Sequence, residues 1–379
     1  MICKPPENIS LLSFFVGGGF LDMGFEMAGF DVVWTNECEP AFIAGYEAGM
    51  TAWRQSQKNG RPATIACRSR IESTDKKKIE AQAFSHGRPE FWGIIGGPPC
   101  PDFSNAGKHR GRDGEHGKLS EVFVKRICDL SPDFFVFENV PGLLRTHRHR
   151  EFFEELIAKL EKSPSKYICD YKTLNAIEFG VPQDRKRVFL IGVTPAVFER
   201  HSHQDPDLAR AKREWFPWPK PKYPDALTVY EWPTTCTRGK TPRRPSGIPE
   251  EIMAGTYLDG ANPPQNCQNG NETFHPYSER FHTVWEGDIS HKSFKRLHRW
   301  RYSPTAAYGN NEVHLHPWID RRLSVREALR LQSVPDEYVL PADMTLTAKF
   351  KMITNGVPVR LARSVALAMH DYLMINPIA

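Results

Sequence analysis

No Cys-x-x-Cys pair occurs among the eight cysteines, which stand at positions 3, 38, 67, 100, 128, 169, 236 and 267. Zinc-ribbon and thioredoxin-like centres therefore find no support. No run of about 18 apolar residues exists to span a bilayer, and the stretch from Met1 to Asn8 carries no hydrophobic signal region. These absences read as an intracellular, cytoplasmic protein that keeps its thiols reduced. No internal repeat divides the chain. Neither sign of charge dominates. The 50 Lys and Arg against 45 Asp and Glu leave +5, a balance that permits a polyanionic partner without demanding one.

With 379 residues, 40% hydrophobic and 25% charged, the chain has the makeup of an ordinary globular protein of about two domains. Many of its 31 prolines fall after position 200, a pattern that points to a loop-rich second half. The central stretch is Ile94-Ile95-Gly96-Gly97-Pro98-Pro99-Cys100-Pro101-Asp102-Phe103-Ser104. An apolar strand runs into a glycine turn, and two prolines with fixed φ hold the following cysteine in place. Such a mount suits a nucleophile, although a structural cysteine after a strand looks the same in isolation.

Upstream, Ile9 to Val16 reads as a strand, Gly17-Gly18-Gly19 as a turn, Phe20 to Phe30 as a helix, and Asp31 to Glu37 as a second strand ending in an acid. That order is the grammar of a nucleotide-cofactor site. Glycines let the backbone approach a ligand, and an acid about 20 residues on can accept both ribose hydroxyls. Residues 51–90 are polar, with Lys76-Lys77-Lys78 a solvated helix face. Asn105 to Leu119 reads as a mobile loop facing solvent or a polyanion, and Ser120 to Leu130 as a helix. Asp133 to Phe137 is a buried parallel strand that ends in Glu138-Asn139-Val140, where doubly wound sheets bind ligands. Glu151 to Leu160 is an amphipathic helix. Arg185 and Arg187 share one face of a further strand. Between 194 and 320, Pro and Trp interleave with Lys and Arg, as in Trp215 to Lys222 and Thr237 to Arg244. This pattern suits phosphate and base contacts or an irregular solvated surface. His147 and His149 read as part of a solvated basic turn, and His314 and His316 carry no metal signature. Leu323 to Leu331 and one or two helices over 343–375 close the chain.

Taken in order, these segments resemble the cytosine-C5 DNA methyltransferase family of the bacterial restriction–modification type. Ser13 to Gly19 is similar to its cofactor glycine loop, Asn36-Glu37 to its ribose acid, and Gly97-Pro98-Pro99-Cys100 to its nucleophile motif. Phe137-Glu138-Asn139-Val140 resembles the ENV motif and Gln183 to Arg187 the QxRxR motif. Arg322 to Asp336 and Asn355-Gly356-Val357-Pro358 resemble the motifs near the end. The likeness spans about 9–195 and 300–370.

The resemblance implies an α/β, Rossmann-like S-adenosylmethionine-dependent methyltransferase domain with a smaller target-recognition domain. The expected boundaries are 1–194 for the catalytic part, 195–334 for recognition, and 335–379 for closing helices. It implies DNA (cytosine-5-)-methyltransferase activity by a monomer on double-stranded DNA, beside a cognate restriction endonuclease or as an orphan. Cys100 is then the nucleophile, Glu138 the group that holds the cytosine edge, Arg187 the ligand of O2, and Arg185 an electrostatic support. S-Adenosyl-L-methionine is expected against Phe15, Gly17, Gly19, Glu37, Ile71, Gly97, Pro99, Leu119, Asn355 and Val357. Ser104, Lys108, His109 and Arg110 are expected to close over DNA. Four positions depart from the family pattern: Phe20 and Thr354 replace glycines, Arg70 an acid, and Pro101 a glutamine. An enzyme acting on transfer RNA is the nearest rival. A zinc nucleobase deaminase would need a cysteine where Phe103 stands.

Overall fold

The computed structural model describes residues 9–57, 64–85, 87–99, 115–237, 239–275, 277–309 and 312–374. Short runs of β-branched and aromatic residues form the strands of one sheet: β1 Ile9–Phe14, β2 Phe30–Asn36, β3 Ile65–Cys67, β4 Trp92–Gly96, β5 Phe134–Asn139, β6 Ile168–Asn175 and β7 Lys186–Val193. Their spatial order is β3-β2-β1-β4-β5-β7-β6. Every pairing is parallel except those of β7, which runs antiparallel to both β5 and β6. The central strands are buried on both faces, as all six residues of β5 are, which explains why they read as unbroken apolar runs rather than alternating ones.

Helices α1 Phe20–Glu26, α2 Pro40–Gln57, α3 Lys76–Ala83, α4 Glu115–Leu130 and α5 His147–Glu161 cross between the strands. The Lys76-Lys77-Lys78 face is exposed, as expected. The helix expected from Ser120 begins earlier, at Glu115. After β7, α6 Pro195–His201 and α7 Pro206–Lys212 bury Val197, Phe198 and Ala209 in the same core as the sheet residues Phe134, Phe189 and Ile191. Trp215, Phe216 and Trp218 join them, with Trp215 and Phe216 against Tyr372. The aromatics of that proline-rich stretch are therefore packing residues. The stretch from Thr237 to Arg244 differs, since Lys240, Arg243 and Arg244 are exposed.

Beyond this point regular structure thins to the short helices α8 Ala226–Val229, α9 Gly255–Leu258 and α10 Arg280–Thr283, and to β8 Lys295–Arg296 paired with β9 His314–Leu315. The closing elements α11 Val325–Leu331, α12 Leu346–Asn355 and α13 Val359–Met374 return to the sheet. Ala254, Leu297, Tyr308 and Leu323 share one core with Phe20 and Met23 of α1, Trp53 of α2 and Met352 of α12. Phe281, Val313 and Leu315 make a small core of their own.

Candidate active site

The antiparallel entry of β7 builds the site. In the parallel strands the carboxyl ends lie along one edge, and register pairs Phe14 with both Asn36 and Gly96 there. Reversal of β7 brings its amino end to that same edge. Glu138 of β5 lies opposite Phe189 of β7. Arg187, two residues away and on the same face, is thus its diagonal neighbour, within reach of a long side chain. The two meet: Arg187 Nε lies 2.8 Å from Glu138 Oε1. Both are buried. Burial pushes the Glu138 carboxyl up, against the pull of Arg187 and Arg185, and pushes Arg187 down.

Gly97, just past β4, borders this pair. A Cβ there would stand 2.7 Å from Glu138 Oε2, so only glycine leaves the carboxylate its place. Asn139 ties the two strand ends together. Its Nδ2 donates to the carbonyl of Pro98 at 3.4 Å and its Oδ1 accepts from the N–H of Val140 at 2.8 Å. Sequence reading quoted Asn139 only as part of a motif, and its function of anchoring the segment that leads to Cys100 went unseen. Cys100 itself lies outside the described residues, as do Ser104, Lys108, His109 and Arg110.

Arg185 stands one residue before β7 and is fully buried, which drives its guanidinium well below its ordinary range. Rather than Glu138, it hydrogen-bonds backbone carbonyls: Nη1 donates to Ala306 at 3.3 Å, and Nη2 to Thr354 at 2.6 Å and Gly356 at 3.0 Å. Gln183 works beside it, donating to the carbonyl of Leu331 at 3.2 Å and accepting from the N–H of Ala306 at 3.0 Å.

Of the expected cofactor residues, Phe15, Gly17 and Gly19 follow β1, Glu37 follows β2, Gly97 and Pro99 follow β4, and Ile71, Leu119, Asn355 and Val357 come from other elements. Phe15, with φ at +56°, packs edge-on against Phe123. Gly17 has φ at +51°, and a Cβ placed on it would meet nothing within 4 Å. Its N–H donates to Glu37 Oε2 at 3.1 Å, while Glu37 Oε1 accepts from the N–H groups of Cys38 and Glu39 at 2.8 and 2.9 Å. Glu37 is thereby fixed, and its Oε2 keeps acceptor capacity. Gly19 caps α1 in the left-handed region. Ile71 is buried and Leu119 half-buried in the same apolar cluster as Phe15. Pro99 is half-buried. Asn355, exposed, ends α12, and Val357 is buried. The open space at Gly17, a fixed carboxylate at Glu37 and apolar walls fit an adenosyl group.

Three of the four departures lie among the described residues, and Pro101 lies outside them. The Phe20 ring is buried edge-on to Tyr338 and packs against both Gly356 and Gly18, where a Cβ on Gly18 would stand 3.1 Å from the ring, so it backs the glycine loop from the core side. Arg70 is exposed with Glu72 at 3.5 Å. Thr354 accepts the N–H of Tyr308 on its Oγ1 at 3.1 Å. His314 and His316 are core residues, held down to about 3 and about 2 by burial.

The model of the C-5 cytosine-specific DNA methylase family matches residues 9–371. The Type II methyltransferase M.NmeDI of Neisseria meningitidis serogroup C is 45% identical over 370 residues, covering 96% of this chain and 84% of its own. M.FnuDI of Fusobacterium nucleatum, also a Type II methyltransferase, is 29% identical over 389 residues, with 96% and 95% covered. Among solved structures, a prophage-encoded E. coli protein described as a DNA modification methyltransferase superposes with a TM-score of 0.65 at 23% identity, covering 96% of this chain and 99% of that one. S. pombe Dnmt2 follows with a TM-score of 0.58 at 12% identity, covering 96% and 98%, a likeness of fold. With the family model spanning nearly the whole length, this chain belongs to the C-5 cytosine-specific DNA methylase family.

Proposed function

We propose that Cys100, Glu138 and Arg187 transfer a methyl group to C5 of a cytosine flipped out of duplex DNA, in the modification arm of a restriction–modification system. The observation that carries this reading is the buried Glu138–Arg187 pair at the edge where the Pro-Pro-Cys segment leaves the sheet. C5 of cytosine is a weak carbon nucleophile. Addition of the Cys100 thiolate to C6 converts the ring to an enamine with an electron-rich C5. Glu138, its pKa raised by burial, holds a proton against N3 as negative charge develops in the ring and accepts a hydrogen bond from the exocyclic amine. Arg187, pinned by Glu138, faces O2. S-Adenosylmethionine, the methyl donor that family membership implies, supplies an electrophilic methyl group. A base then takes the C5 proton, and the thiolate leaves C6 as the ring regains its double bond. The target must leave the helix stack for this chemistry. The exposed basic stretch at Lys240, Arg243 and Arg244 and the irregular part of 195–334 supply groove and backbone contacts.

Labelled S-adenosylmethionine with a pool of unmethylated DNA, followed by bisulfite sequencing, tests the reading. Wild type is expected to label cytosines in one defined sequence, and Cys100→Ala to label none. Label entering transfer RNA but not DNA would overturn it.

A further inference from the structure

We infer that Arg185 is a positioning residue that ties the cofactor-side loop 354–357 to the strand carrying Arg187, so that cofactor affinity depends on it. The inference rests on the functional reading above. Three carbonyls from two distant parts of the chain converge on this one guanidinium: Ala306, Thr354 and Gly356. Two of them flank Asn355, and Gly356 precedes Val357; Asn355 and Val357 are the residues assigned to the cofactor. Arg187 is two residues away, paired with Glu138. A guanidinium presents five donors in a rigid planar fork, so one side chain can hold several carbonyls in fixed relation.

Other contacts make the tie redundant in one direction only. Thr354 Oγ1 accepts from the N–H of Tyr308, and Gln183 holds Ala306 and Leu331. The 306–308 and 354–356 segments are thus bound to each other, and Arg185 joins both to β7. Among the described residues Arg185 Nε has no partner. A residue serving only to raise the local positive potential would not need its two terminal nitrogens spent on carbonyls.

Lysine at 185 keeps the charge but loses the fork. Calorimetric titration with S-adenosylhomocysteine is expected to show Arg185→Lys weakened at least tenfold, about 1.4 kcal/mol. Arg187→Lys should stay within twofold of wild type while methyl transfer collapses. Amide exchange at 354–357 should quicken in Arg185→Lys and be slowed again by S-adenosylhomocysteine. Thr354→Ala, which cuts the Tyr308 tie from the opposite side and leaves the buried arginine in place, should weaken binding several-fold. Wild-type affinity and exchange in Arg185→Lys, with only turnover and its pH profile altered, would overturn the inference. So would unchanged affinity in Thr354→Ala if Arg185→Lys fails to fold. A wild type that binds no S-adenosylhomocysteine would sink the cofactor reading first, and this inference with it.

Discussion

The sheet of residues 9–193 and the region around 280–322 are held together by different means. In the sheet, strand hydrogen bonds satisfy the backbone and apolar side chains fill both faces. In the other region β8 and β9 have two residues each, and arginine takes over the work of a ladder. Arg296, buried, donates to the carbonyls of Phe281, Val284 at 2.9 Å, His316 at 2.8 Å and Ile319 at 3.1 Å. Arg299 donates to both oxygens of Glu286, with Nη2 at 2.8 Å from Oε2. Loops that do not pair with one another in long strands leave orphan carbonyls, and these need charged donors from elsewhere.

The contrast can be broken most sharply at the catalytic edge. Glu138→Gln should lose roughly 10³-fold in methyl transfer, the scale of a general acid–base group, with the sheet still folded and the melting temperature lowered, because Arg187 is left buried without its counter-charge. Steady-state assays beside circular dichroism check both halves. Arg296→Met attacks the other region and should cost about 3–5 kcal/mol, since several buried carbonyls lose a charged donor together. Urea unfolding followed by tryptophan fluorescence would report it. Binding of S-adenosylhomocysteine at the sheet edge should survive at low urea.

Asp22 gives a smaller, pH-dependent effect inside the sheet half. It accepts from Ser13 Oγ at 2.6 Å and Tyr46 OH at 2.9 Å, with Glu26 and Arg54 nearby. Burial raises its pKa from 3.8 to about 6. The native state keeps a proton that the unfolded chain has released, so stability falls as pH rises from about 4 to 6 and then levels off, about 3 kcal/mol in all. Asp22→Asn, uncharged throughout, should flatten that part of the melting temperature against pH. Least of all, replacing Lys76, Lys77 and Lys78 with alanine should move stability by no more than about 0.5 kcal/mol per site, since that face is solvated.

Much of the sheet half was legible because period and chemistry coincide there. Phe134 to Phe137 announces a buried strand by composition, and Glu138 at its end is conspicuous as a charge. The pairing of Glu138 with Arg187 follows from motif order only once β7 is known to run backwards, and nothing local in Lys186 to Val193 signals its direction. Arg185 was read as a charge acting on the active site, although its bonds go to carbonyls 121 and more positions away. Such partners leave no mark on sequence spacing. Trp215 to Trp218 misled in the other direction. Aromatics beside prolines and lysines look like a ligand surface until Tyr372, from the far end of the chain, is seen packed among them.

The reversed strand also sets the order in which these contacts can form. The β6–β7 hairpin is local in sequence and forms early by loop-closure arguments, yet the Glu138–Arg187 pair exists only after that hairpin docks on β5. Arg185 then waits for carbonyls at 354 and 356. At a synthesis rate of about 5–20 residues per second, Glu138 has been made roughly ten seconds or more before Gly356. Through that interval a growing chain carries Glu138 without the carbonyls that Arg185 holds. The chain order thus makes the Arg185 contacts, which need residues 306, 354 and 356, later to form than the Glu138–Arg187 pair.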